Sequence, residues 1–323
     1  MEDLYEDLYM ETKIKFFILI AIIIILIITF VTTYLKYRKD LTAGYKRINE
    51  IQSQIYQSKY GEVEYVLKGN GPTILISHGV TGGIDQGIWI SKSLGEGYRF
   101  LVVSRFGYLK SSMPDEPSVK LQAEAYKELL DFLGIDSAFI MGNSAGGTSA
   151  IHFAINYPEK CKGLILQSSN VPGDVKTLPP KPIMKAVFGS DFLYWCTITL
   201  FGRNMIKTFV PESIWKRISK PEKKNLLDNV FLSGLPISNR TKGVLFDTYI
   251  SNPSINEEIP YENIKLPTLI IHAIDDPSPP IEGARMISGK IPNSELVTYE
   301  TGGHLLLNHE DEIKKRIRNF ILR

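Results

Sequence analysis

The strongest constraint on this chain is a series of short apolar runs that each end in a small or chemically capable residue. They are TILISHG (73–79), FLVVSRFG (100–107), SAFIMGNS (137–144), GLILQSSN (163–170), TLIIHAIDD (268–276) and SELVTYETGGH (294–304). EVEYVLKG, just before them, alternates as a half-buried strand does. Helical spacing lies between most of the runs, as in VKLQAEAYKELLDFLG (119–134), and EDEIKKRIRNFIL closes the chain. Strands that are apolar throughout and alternate with helices predict an α/β fold: a mainly parallel central sheet with helices on both faces. Ligands of such sheets bind beyond the C-terminal strand ends. His78 and Gly79, Ser144, Asp275 and Asp276 all stand there, and His304 lies just past the last run.

The rhythm fails between about Val171 and Pro260. That stretch carries PPKP and helix-like pieces rich in large side chains, among them Phe188, Trp195, Phe209 and Trp215. It reads as a helical cap inserted between two strands. The expected division is a tail (1–15), a transmembrane helix (16–35), a linker (36–59), a core (60–170 and 263–323) and the cap (171–262). The transmembrane reading rests on FFILIAIIIILIITFV (16–31), which extended to Leu35 spans a hydrocarbon core of about 30 Å. A secretory signal would have a shorter apolar region and a small-residue cleavage site. Lys36, Arg38, Lys39, Lys46 and Arg47 outnumber Lys13 and Lys15, so the main domain is expected on the cytoplasmic side. In the linker, Ile48, Ile51 and Ile55 suit a short amphipathic helix.

Gly142-Asn143-Ser144-Ala145-Gly146 fits G-x-S-x-G between a strand and a helix. A nucleophile on so sharp a turn needs small neighbours two places away on either side. A serine hydroxyl also needs a base and a residue to orient that base. His304 follows two glycines in an open loop and is the expected base; His309 is the rival. His78, His152 and His272 sit where packing explains them. Asp276 is the preferred acid, with its neighbour Asp275 left open. The chain order is then Ser, Asp, His. Oxyanion donors are expected at the Ala145 N–H and at Val80 in SHGVTGG, where Gly82 and Gly83 let the backbone approach a substrate. That loop lacks the ending of a phosphate loop and the spacing of a dinucleotide fingerprint.

SHGVTGGIDQG, SRFGYLKSSMP, MGNSAGG, IIHAIDDPSPP and GGHLLLNHE together resemble the α/β-hydrolase superfamily, over residues 60–323 apart from the insertion. The branch resembled is the serine-dependent hydrolases of bacteria and archaea. The resemblance implies Ser144 as nucleophile, His304 as base, Asp276 as acid, Val80 and Ala145 as oxyanion-hole positions and residues 171–262 as cap. Leu109 stands where many relatives carry glycine, and Pro279-Pro280 replaces a more usual apolar-Pro pair.

The remaining totals exclude more than they suggest. A net charge of +2 with scattered basic residues offers nothing to nucleic acid. Cys161 and Cys196 make no disulfide framework, and no metal-ligand spacing is present, so neither metal nor cofactor is expected. The expected function is hydrolysis of a carboxylic ester, thioester or amide with a hydrophobic part, at a membrane, on a small-molecule substrate. The alternatives are a non-catalytic binding module of the same fold, and an acyltransferase or carbon–carbon hydrolase using the same triad. The sequence specifies no oligomeric state.

Overall fold

The computed structural model describes residues 2–173 and 177–323. Two compact units make up the chain, residues 1–43 and 44–323. The first consists of the greater part of helix α1 (Glu2–Asn49). Residues 11–36 are exposed along its length. Its most apolar 18-residue window has a mean hydropathy of 3.2 and no buried residue, so the helix is long and apolar enough to cross a membrane. Isoleucine favours strands in water, but a helix pairs all of its own backbone groups and suits an apolar solvent.

The second unit is built on one eight-stranded sheet. Its strands are β1 (Gln54–Ser58), β2 (Gly61–Gly69), β3 (Thr73–Ser77), β4 (Arg99–Val103), β5 (Ala138–Asn143), β6 (Cys161–Gln167), β7 (Thr268–Ala273) and β8 (Ser294–Tyr299). The spatial order is β1-β2-β4-β3-β5-β6-β7-β8. The β1–β2 and β2–β4 pairs are antiparallel and all later pairs are parallel. Every apolar run named above contributes a strand, as expected for an α/β sheet covered on both faces.

The coverage follows the period of two in a strand. Leu75, Leu101, Ile140, Leu164 and Ile270 point to one face, where α3 (Val119–Phe132) and α4 (Gly146–Asn156) supply Tyr126, Leu129 and Phe153. Ile74, Ile76, Met141, Ile165 and Ile271 point to the other. There α2 (Ile84–Leu94) supplies Ile84, Ile90 and Leu94, and the final helix supplies Ile313, Ile317 and Phe320. Each such side chain contributes about 1.5–3 kcal/mol by leaving water. Cys161 and Cys196 are free thiols.

Between β6 and β7 the chain leaves the sheet. The helices there are α5 (Lys181–Phe188), α6 (Asp191–Met205), α7 (Glu212–Arg217), α8 (Lys220–Val230), α9 (Thr241–Phe246) and α10 (Asn252–Ser254). Residues 174–176 of this expected cap lie outside the described residues. Helix α11 (Ile281–Lys290) then separates β7 from β8, and α12 (Glu310–Ile321) follows β8.

One expectation needs correction. Residues 36–59 are not a separate linker with its own amphipathic helix. Helix α1 continues to Asn49 without a break, because KYRKDLTA contains no helix breaker. The sheet then begins at Gln54, inside the expected linker. QIYQS escapes notice because β1 is a half-exposed edge strand with few apolar residues.

Candidate active site

The turn between β5 and α4 carries Ser144 in a left-handed conformation, φ 50°. That conformation costs a non-glycine residue about 1–3 kcal/mol and persists only where the surroundings enforce it. Here the Ser144 N–H donates to the Gln167 carbonyl, while its own carbonyl accepts from Gly147 and Asn170. The flanking glycines are required by close approach. A Cβ on Gly146 would lie 2.1 Å from the Ser77 carbonyl oxygen, and one on Gly142 would lie 2.6 Å from Gly147 Cα.

His304 Nε2 is 2.9 Å from Ser144 Oγ. Its Nδ1 is 2.9 Å from Asp276 Oδ2. Asp276 is buried, and its other oxygen accepts the Ser278 N–H at 2.9 Å. The structure thus separates the two neighbouring carboxylates. Asp275 turns away and accepts the Gly303 N–H at 2.8 Å, which holds the loop that carries His304. The rival His309 stands at the N-terminus of α12, stacks on Tyr299 at 4.1 Å and donates from Nε2 to the Thr301 carbonyl, away from Ser144.

Beside Ser144, the backbone N–H groups of Val80 and Ala145 have no acceptor among the described residues. Other donors around them are engaged. Gly79 N–H donates to Gln86 Oε1 at 2.7 Å, and the Gly82 N–H donates to the Gly79 carbonyl. Gly82 also sits tightly, since a Cβ there would meet Gln86 Oε1 at 2.4 Å. His78 is fully buried. Its Nε2 accepts the Arg105 N–H at 3.0 Å, so Nδ1 carries the proton toward the Gly79 carbonyl at 2.7 Å. Burial, reinforced by the Arg105 charge, holds His78 well below the ordinary histidine pKa, and it stays neutral. It supports the loop and lies too deep to serve as a base for Ser144.

The other packing histidines behave alike. Burial pushes His152 down to about 4 and lowers His272, whose Nε2 lies 2.9 Å from the Pro279 carbonyl.

Several residues around the site carry no sequence signal strong enough to assign them a role. Arg105, in the SRFG loop after β4, is fully buried. It forms a two-pronged pair with Asp247 at 2.6 and 2.5 Å, and Tyr108 donates to the same carboxylate at 2.5 Å. Arg240 makes a second buried pair with Asp85, at 3.0 and 2.7 Å. Phe209, between α6 and α7, accepts the His304 N–H at its carbonyl (2.8 Å) and lays its ring 5.6 Å from the imidazole. Leu109, noted above as a departure from the resembled pattern, takes φ 51°, and its N–H donates to the Asn239 carbonyl at 2.7 Å.

A family model described as alpha/beta hydrolase fold matches residues 72–310, which include every one of these groups. The chain belongs to the alpha/beta hydrolase fold family. Among the relatives of this hydrolase-fold chain is a 2-hydroxy-6-oxononadienedioate/2-hydroxy-6-oxononatrienedioate hydrolase of Comamonas testosteroni. The two are 28% identical over 273 residues, 78% of this chain and 88% of the relative. A 2-hydroxy-6-oxo-6-phenylhexa-2,4-dienoate hydrolase of Burkholderia cepacia is 26% identical, with coverage of 78% and 88%. Among solved structures, an esterase from Thermogutta terrifontis superimposes with a TM-score of 0.66 at 21% identity, covering 84% of this chain and 98% of its own. An enol-lactonase from Burkholderia xenovorans gives 0.64 at 16% identity, covering 84% and 100%. These two likenesses concern the fold.

Proposed function

We propose that the protein is a serine hydrolase that attacks a carbonyl carbon of a small, partly hydrophobic substrate. Ser144 is the nucleophile and His304 the base that takes its proton. Asp276 fixes the imidazole with its proton on Nδ1 and stabilises the imidazolium that forms. The Val80 and Ala145 N–H groups receive the oxyanion of the tetrahedral intermediate. Collapse of that intermediate expels the leaving group, which takes the proton from His304. A water activated by the same histidine then releases the acyl group from Ser144. The observation that carries this reading is the unbroken hydrogen-bond line from Ser144 Oγ through His304 to Asp276.

The relatives named above act on 6-oxo-dienoates, ketones whose hydrolysis breaks a carbon–carbon bond. That chemistry could use the same serine and histidine. Those substrates are carboxylates, however, and ask for a cation. The two buried arginines beside the Val80 loop are each already engaged by a carboxylate, Asp247 and Asp85. Together with the Phe209 ring against His304, this favours an uncharged acyl substrate: an ester, thioester or amide. Helix α1 is the proposed membrane anchor through residues 16–35, with the hydrolase unit on the cytoplasmic side and residues 171–262 as its cap.

Turnover of a series of p-nitrophenyl esters of rising acyl length, beside a 2-hydroxy-6-oxo-dienoate, tests the substrate class. The expected result is ester cleavage that improves with acyl length. Cleavage of the dienoate alone would replace this reading with carbon–carbon hydrolysis.

A further inference from the structure

The Val80 loop is held from outside the sheet. On one side of Val80, the Gly79 carbonyl receives His78 Nδ1 at 2.7 Å and lies 3.4 Å from Arg105 Nη2. On the other side, Arg240 Nη1 donates to the Thr81 carbonyl at 3.1 Å and also to the Gly82 carbonyl. Thr81 itself is in the left-handed region, φ 58°. A left-handed residue next to the oxyanion donor needs an external restraint to stay in place. Arg240 supplies it, and Arg240 belongs to the helical insertion, just before α9.

The guanidinium is itself fixed. It is wholly buried and grips Asp85 in the first turn of α2 through both terminal nitrogens. Burial alone would raise the Asp85 pKa, but the charges of Arg240 and Arg47 outweigh it and hold the carboxyl below its usual value. Arg47, near the end of α1, reaches Asp85 Oδ2 at 3.3 Å and the carbonyls of Ser233 and Leu235 at 2.5 and 2.7 Å. Three separate segments therefore converge on one carboxylate: the end of α1, the start of α2 and the insertion.

We propose that Arg240 is a positioning residue for the oxyanion hole. By pinning the carbonyls of Thr81 and Gly82 against Asp85, it turns the Val80 N–H toward Ser144 and makes the hole depend on the seating of the helical insertion. The proposal rests on the serine-hydrolase reading above. Arg240 touches no reacting atom in this account; it acts through Val80. Arg47 steadies the same carboxylate, so the end of α1 contributes to the same restraint.

The test uses the full chain in detergent. Active sites are titrated with a fluorophosphonate, so that kcat is expressed per reactive Ser144 and misfolded protein does not count. Arg240→Met should lower kcat per site about 10²-fold, the effect of losing or misplacing one oxyanion donor, and leave KM within about threefold. The inhibition constant of a trifluoromethyl ketone, which binds as a tetrahedral oxyanion on the serine, should rise in parallel, while that of a planar product acid should not. Arg240→Lys, which keeps one donor to the carbonyls and loses the two-pronged grip, should fall between. If Arg240→Met does not fold, Asp85→Asn keeps the shape of the cluster, and a smaller loss in kcat with the same split between inhibitors is expected. An unchanged kcat per site and an unchanged ketone constant in the folded variants would overturn the proposal alone. A wild-type chain that never reacts with the fluorophosphonate would overturn the serine-hydrolase reading, and this proposal with it.

Discussion

The proposed mechanism gives the neighbours Asp275 and Asp276 different tasks, and exchanging each carboxylate for an amide should separate them. Asp276 Oδ2 receives His304 Nδ1–H at 2.9 Å. In Asp276→Asn, an amide N–H facing Nδ1 forces that nitrogen to accept, and the imidazole proton moves to Nε2. His304 then presents a donor to Ser144 Oγ and cannot take its proton. A loss of about 10⁴ in kcat follows from this wrong tautomer, equivalent to about 5 kcal/mol in the barrier. Asp275 instead accepts the Gly303 N–H at 2.8 Å through Oδ1, and its Oδ2 is buried without a partner among the described residues. Asparagine retains the accepting oxygen. The cost should appear in stability, about 1–3 kcal/mol for an imperfectly satisfied buried group, with kcat close to wild type. The assay is ester hydrolysis over a range of pH, with urea denaturation of both variants. The reasoning fails if folded Asp276→Asn stays within about tenfold of wild type, or if folded Asp275→Asn is equally inactive.

Gly146→Ala places a methyl group 2.1 Å from the Ser77 carbonyl oxygen; overpacking against backbone should cost about 3 kcal/mol or more, read from urea denaturation. Acid should destabilise the fold well before the carboxylates titrate. His78, His152 and His272 are all held below the ordinary value of 6.5. The unfolded chain takes up protons below pH 6.5 that the folded histidines refuse, so their contribution is whole above that pH and is lost as pH falls. With a folded value of about 4, His152 alone accounts for about 2 kcal/mol at pH 5, and His152→Gln should flatten the pH dependence of the unfolding free energy by that amount. Arg105→Met leaves the Asp247 charge buried without its cation, held by Tyr108 alone among the described residues, and should cost about 3–5 kcal/mol; adding Asp247→Leu should recover a large part of it, as a double-mutant cycle of denaturation midpoints would show.

What the sequence disclosed follows from where the physics is local. Seven strands are legible because burial on one or both faces leaves apolar or alternating runs, and the turn residues at their ends stand out against them. The edge strand QIYQS leaves no such trace, and the length of α1 is obscured because its polar continuation has the same helix propensity as a linker helix. The pattern around Ser144 is legible because a tight strand-to-helix turn restricts its neighbours to small residues, and His304 because its loop is opened by two glycines. The choice between Asp275 and Asp276 depends on which side of a turn each carboxylate faces, and composition does not encode that. Arg240 and Asp85, 155 residues apart, and Arg47 and Asp85, 38 apart, meet only through the tertiary fold. No local pattern announces them.

The central claim is that Ser144 is an activated nucleophile. Intact-mass analysis of the purified full chain after treatment with a fluorophosphonate, wild type beside Ser144→Ala, tests it most directly. The account predicts a single phosphonyl adduct on the wild type, mapped to the peptide that contains Ser144, and none on the variant. An unmodified wild type with a cooperative unfolding transition, or equal modification of both proteins, would contradict it.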